Sequence, residues 1–175
     1  MDSYFAVFQG KKGSFLSAFV FIDKIAEVRP KESLTAYYTL KGNEEFLKDH
    51  FKDFPVMPGV LLLETMKQAA SLLLMESENF EGSFYRLSSV EEIKFGQFVK
   101  PGSVLKIAVR LLRKEGTSNF FEGRIDLVEK EMLPKAKALM AHFTLVPVAC
   151  TTQEKTVSNQ KARLVYERML KADGF

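Results

Sequence analysis

The stretch Pro55-Val56-Met57-Pro58-Gly59-Val60-Leu61-Leu62-Leu63-Glu64-Thr65-Met66-Lys67-Gln68-Ala69-Ala70-Ser71-Leu72-Leu73-Leu74-Met75-Glu76 decides how the rest of the chain is read. Its two prolines confine the backbone at the start, because proline lacks an amide hydrogen and biases its predecessor towards extended conformations. From Gly59 onwards there is no proline and no further glycine, and strong helix formers dominate. The apolar side chains Leu61, Leu62, Leu63, Met66, Ala69, Ala70, Leu72, Leu73 and Leu74 point in nearly every direction around the axis. A helix of that kind belongs inside a fold. The pattern predicts one central, buried helix over residues 59–76.

Sequence on both sides of this helix reads as strands. Residues 18–28 and 34–40 are rich in Phe, Tyr, Val and Ile and are bounded by Arg29-Pro30 and Lys41-Gly42. Residues 103–113, 120–129 and 135–148 form long segments without helical spacing, separated by Lys114-Glu115-Gly116 and by residues 131–134. Hairpin-connected strands of this length predict an antiparallel, twisted sheet. One buried helix with five or six strands gives an α+β domain over residues 1–148. Beyond it, residues 151–160 read as a polar linker. Residues 161–172 then place Ala162, Val165, Tyr166, Met169 and Leu170 on one face of an amphipathic helix.

Composition narrows the function classes. The 175 residues suit a single core that buries about 70% of the unfolded surface. Sixteen Phe, seven Met and no Trp exclude wholesale disorder. The longest apolar runs, residues 15–22 and 72–75, fall far short of the roughly 20 residues that span a bilayer. A formal charge of +3, from 25 basic and 22 acidic residues, carries no basic run that would suit nucleic acid. The single Cys150 excludes an internal disulfide framework and fits a reducing compartment. Lys11 and Lys12 precede an apolar run too short for a signal peptide, with Asp23 and Lys24 directly after it. The expected location is cytoplasmic.

Chemistry concentrates around the start of the central helix. His50 precedes the proline-bounded loop, and Glu64 follows fourteen residues later in the first turns of the helix. Histidine titrates near neutrality, and a carboxyl group withdrawn from water keeps a proton to donate, so the two form a candidate acid–base pair. The helix start offers unsatisfied N–H groups and a favourable dipole for developing negative charge. A thioester or ketone oxygen set against the Gly59 N–H would be polarised there, and glycine has no Cβ to obstruct it. Glu64, Gln68 and Ser71 fall at i, i+4 and i+7, a polar stripe that should line a cavity or meet partners. The bland alternative is a surface pair of Glu64 with Lys67 at i+3. His142, in an alternating strand, reads as structural. No metal-ligand cluster is visible.

The pattern His50-Phe51-x-x-x-Pro55-Val56-Met57-Pro58-Gly59-Val60-Leu61-x-x-Glu64-x-Met66-x-Gln68 resembles the signature of FabZ-type 3-hydroxyacyl-acyl-carrier-protein dehydratases. Similarity extends to Phe19–Ile25 and to Lys94-Phe95 with Val99-x-Pro101-Gly102, covering roughly residues 15–148. The resemblance implies a hot-dog fold, a curved antiparallel sheet wrapped around one long helix. It implies a homodimer with shared active sites, or a trimer of dimers, in which His50 of one subunit faces Glu64 of the other. It also implies reversible loss of water from (3R)-3-hydroxyacyl thioesters on acyl carrier protein, giving trans-2-enoyl thioesters, with no metal or organic cofactor. In those roles His50 takes the C2 proton, Gly59 polarises the thioester carbonyl, Glu64 protonates or orients the leaving hydroxyl, and Gln68 holds Glu64.

Departures from the family pattern fall beside the site. Asp49 and Lys52 stand where the family has Gly and Pro, Gly96-Gln97 where it has Arg-Arg, and Ser103 where it has Asp. A specialised acyl chain or carrier is the expectation they raise. Two other readings share the fold: a hot-dog thioesterase, and a non-catalytic acyl-binding or assembly subunit.

Overall fold

A computed structural model describes residues 20–49, 54–82, 84–128, 134–149 and 151–172. The elements run β1 (Lys24–Arg29), β2 (Ser33–Thr39), α1 (Phe46–Asp49), α2 (Gly59–Ser77), β3 (Phe84–Phe95), β4 (Val104–Glu115), β5 (Ser118–Val128), β6 (Pro134–Val148) and α3 (Thr152–Lys171). The strands make one six-stranded sheet in the order β1-β2-β4-β5-β6-β3, with every neighbouring pair antiparallel. This is the α+β, hot-dog arrangement expected from the sequence.

α2 lies across the inner face of the sheet and touches β2, β3, β4, β5 and β6. Leu62, Thr65, Met66, Ala69, Ala70 and Leu73 are its buried side. They meet Ile107, Phe121, Ile125, Leu139 and Leu145 in a continuous core. Gly123 of β5 makes the closest approach possible: a Cβ there would lie 2.7 Å from Met66 Sδ and 2.9 Å from Phe143 Cε1. A helix seated that tightly on a central strand leaves no volume for a side chain.

The opposite side of α2 is covered less than its composition predicts. Val60 is 73% exposed, and Leu61, Leu63 and Leu72 are only partly buried. Within one chain, the helix is therefore buried on one face and not all round.

β1 starts at Lys24, later than the strand expected from residue 18; residues 18 and 19 lie outside the described residues. The physical reason is Asp23, whose carboxylate accepts the Thr39 N–H at 2.7 Å while its own N–H donates to Tyr37 O at 2.8 Å. That side-chain bond ends the ladder, and Phe21 and Ile22 are buried without strand pairing. β3 is the strand that the pattern did not single out. Its pairing with β6 is irregular between Leu87 and Ser89 and again between Glu91 and Lys94, which destroys simple alternation.

The tail is a correction. Residues 151–160 are not a linker: α3 begins at Thr152, and its first half carries Asn159, whose Nδ2 donates to Gly82 O at 3.2 Å. Polar residues mark an exposed helix face here, because α3 rests its apolar side, Tyr166 and Met169, on the molecule beside β1. Arg163 donates to Asn79 Oδ1 at 2.6 Å, and the Phe80 and Tyr166 rings lie 5.2 Å apart, so α3 docks onto the C-terminal end of α2.

Candidate active site

The start of α2 is built by its own prolines. Pro58 stands at the N-cap with ψ near 139° and no side-chain cap, and its carbonyl accepts from the N–H groups of Leu61 and Leu62. The N–H groups of Gly59 and Val60 thus precede the hydrogen-bond ladder of the helix. Met57 N donates to Val99 O at 2.9 Å, which ties this loop to the turn that leads into β4. Around it stands an aromatic rim. Phe54 and Phe98 meet edge-to-face at 5.6 Å, and Lys100 Nζ lies 4.8 Å from the Phe54 centroid.

What approaches Gly59 is the ring of Phe95. A Cβ on Gly59 would lie 2.7 Å from Phe95 Cε1. The missing side chain therefore accommodates an aromatic ring, in addition to any ligand.

Glu64 stands five residues into the helix, about 7.5 Å along the axis from Gly59. Its Oε1 accepts from Lys67 Nζ at 2.9 Å and from Gln68 Nε2 at 3.1 Å. The side chains of Lys67 and Glu64 are 17% and 33% exposed, so this pair is screened more weakly than a free surface pair. Gln68 is also fixed at its other end, where Oε1 accepts the Phe21 N–H at 2.9 Å. The amide thus links the backbone ahead of β1 to the carboxylate of Glu64. Sequence spacing anticipated Gln68 beside Glu64 and Lys67 beside Glu64, but nothing in it pointed to Phe21, a backbone donor 47 positions away.

Further along the same stripe, Ser71 Oγ is buried without a hydrogen-bond partner among the described residues. His50 lies outside the described residues. His142 is on the β6–β3 surface, where its Nδ1 is 3.3 Å from Glu92 Oε2, away from this stripe. Among the described residues no group of His, Cys, Asp and Glu could hold a metal ion, and no helix is long and apolar enough to cross a membrane.

An antiparallel sheet wrapped on one long helix, with a tethered carboxylate near the helix start, defines a hot-dog protein. A family model described as the FabA-like domain matches residues 16–133. The chain is 43% identical over 136 residues to the 3-hydroxyacyl-[acyl-carrier-protein] dehydratase FabZ of Pediococcus pentosaceus, covering 78% of this chain and 87% of that enzyme. With the FabZ of Levilactobacillus brevis it shares 41% identity over 95 residues, which span 54% of this chain and 64% of that enzyme. Among solved structures, the dehydratase heterocomplex ApeI:P from Xenorhabdus doucetiae superimposes with a TM-score of 0.60 at 16% identity, covering 81% of this chain and 91% of that one. The last likeness concerns the fold alone. The chain belongs to the FabZ-type 3-hydroxyacyl-[acyl-carrier-protein] dehydratases of the FabA-like family.

Proposed function

We propose that this chain catalyses the reversible dehydration of (3R)-3-hydroxyacyl thioesters carried on acyl carrier protein, giving trans-2-enoyl thioesters for fatty-acid-type biosynthesis in the cytoplasm. The observation that carries the reading is Glu64, held by Lys67 and Gln68 in the second turn of α2, close to the uncapped N–H of Gly59.

The placement of Glu64 and Gly59 supports the steps below, and the part given to His50 is the one the family resemblance implies. The Gly59 N–H polarises the thioester carbonyl and acidifies C2. His50 removes the C2 proton, and the electron pair left on C2 forms the C2–C3 double bond as the C3–O bond breaks. Glu64 protonates or orients the departing hydroxyl, which leaves as water; the proton taken up by His50 passes to the Glu64 carboxylate in the first case and to the hydroxyl itself in the second, so the charges balance. Gln68 fixes the rotamer of Glu64 during this cycle.

A homodimer with shared sites suits the exposed surface. β3 is an edge strand of the sheet, Ile93 and Phe95 on it are 40% and 59% exposed, and Val60, which follows the Gly59 that Phe95 approaches, is 73% exposed. An open edge with an apolar flank is a natural template for a second copy. Light scattering then finds at least a dimer.

The test is hydration of carrier-bound trans-2-enoyl thioesters of several chain lengths, with enoyl absorbance and free thiol followed together. Enoyl loss without thiol release, abolished in His50→Ala and Glu64→Gln, is the expected result. Thiol release would show a thioesterase instead, and a folded dimer silent on every thioester would show a binding subunit.

A further inference from the structure

A bulge in β3 aims Phe95 at the site. Between Glu91 and Lys94 this strand advances three residues while β6 advances two, from His142 to Met140. Glu92, inside the step, has φ of 50°. One extra residue reverses the face taken by every side chain after it. Val90, just before the bulge, pairs with the buried Phe143 on the inner face. Without the extra residue Lys94 would turn inward and Phe95 outward. With it, Phe95 pairs with Leu139, which is fully buried, and its ring reaches the first residue of α2. The ring lies against Gly59 so closely that a methyl group there would sit 2.7 Å from Cε1 and 3.1 Å from Cζ. Phe95 is 59% exposed in the single chain, on the same open β3 edge where the second copy pairs in the dimer reading.

Building on the dehydratase reading, we infer that Phe95 is a positioning residue: it closes over the Gly59 N–H and forms the wall against which the thioester carbonyl is held. A donor at a helix start is worth more as water is excluded from it. A phenyl ring excludes water without competing for the N–H, because it has no hydrogen-bonding group. Phe95 neither gives nor takes a proton.

Enoyl-thioester hydration by the parent, Phe95→Ala, Phe95→Leu, Gly59→Ala and the double variant Gly59→Ala/Phe95→Ala tests this role, with thermal unfolding of each beside it. Phe95→Ala lowers kcat about tenfold or more with a smaller change in KM, because the carbonyl is misplaced and not merely bound less. Phe95→Leu recovers part of the loss. Gly59→Ala pushes the ring away and is impaired, and removing the ring relieves that clash, so the double variant is more active than Gly59→Ala alone. An active parent with Phe95→Ala within about twofold of it, or with single losses that simply multiply in the double variant, overturns the role by itself. A parent inactive on every thioester overturns the dehydratase reading, and this role with it.

Discussion

Lys67 Nζ lies 2.9 Å from Glu64 Oε1, one helical turn further along α2, and both side chains are more than half buried. The ammonium and the Gln68 amide converge on the same oxygen, which orients the carboxylate by two directional contacts. Replacing Lys67 by Met keeps the length of the side chain and removes one donor. Glu64 then relies on Gln68 alone, and kcat/KM for enoyl hydration should fall about five- to tenfold, a loss near 1 kcal/mol. The unfolding midpoint should move little, since partly exposed pairs contribute about 0–1 kcal/mol. Steady-state kinetics with urea unfolding separates these two effects.

Gln68 links Glu64 to the Phe21 N–H, so its two ends can be broken separately. Gln68→Leu leaves that amide unpaired in a partly buried place and should cost about 1–3 kcal/mol of stability together with activity. Gln68→Glu keeps an acceptor for Phe21 and loses the donor to Glu64. It should retain more stability than Gln68→Leu while still losing activity. Chemical denaturation and hydration kinetics on the two variants distinguish the scaffold function of the amide from its hold on Glu64.

Gly123→Ala should destabilise the fold by about 1–3 kcal/mol, because the new methyl meets Met66 Sδ at 2.7 Å and Phe143 Cε1 at 2.9 Å. Met66 is the more flexible neighbour, so Met66→Ala in the same chain should relieve part of the overpacking at the cost of a cavity. Thermal unfolding of the single and double variants reads this coupling.

Tyr166 fastens α3 to Phe80, and burial, with the charge of Glu76 second, raises its phenol from 10.0 to about 12. In the unfolded chain the phenol ionises near its ordinary value. The sign follows: stability is unaffected by this group below pH 10, and it declines as pH rises from 10 towards 12, where only the unfolded state releases the proton. Burial raises Tyr38 and Tyr85 in the same direction. Tyr166→Phe should therefore flatten the alkaline decline in part, as measured by urea unfolding between pH 9 and 11.5.

Deleting residues 151–175 strips Tyr166 and Met169 from the core and uncovers Phe80. Each buried side chain of this kind contributes about 1.5–3 kcal/mol, so the truncated protein should unfold at a clearly lower urea concentration. Hydration kinetics on the folded truncated chain then shows whether α3 acts only as a support.

The central helix was legible because its evidence is local. Two prolines, Gly59 and the seventeen residues without a breaker from Val60 to Glu76 specify α2 whatever surrounds it. The long strands before and after it carry their own turn signals, and Glu64, Lys67 and Gln68 share one side of α2 through helical spacing alone. Those relationships depend on backbone periodicity, which a sequence displays directly.

Other features depend on which distant segments meet, and only the tertiary structure decided them. Asp23 ends β1 because it captures a backbone N–H sixteen residues away, and Gln68 is anchored by a backbone N–H forty-seven residues away. α3 begins at Thr152 because even a polar segment folds as a helix when its few apolar side chains find a surface, here Phe80 and the end of α2. The bulge at Glu92 leaves no periodic trace, yet it turns Phe95 from the outer face onto Gly59. A sequence records what each residue prefers locally. Facing, anchoring and close approach belong to pairs of residues brought together by the fold.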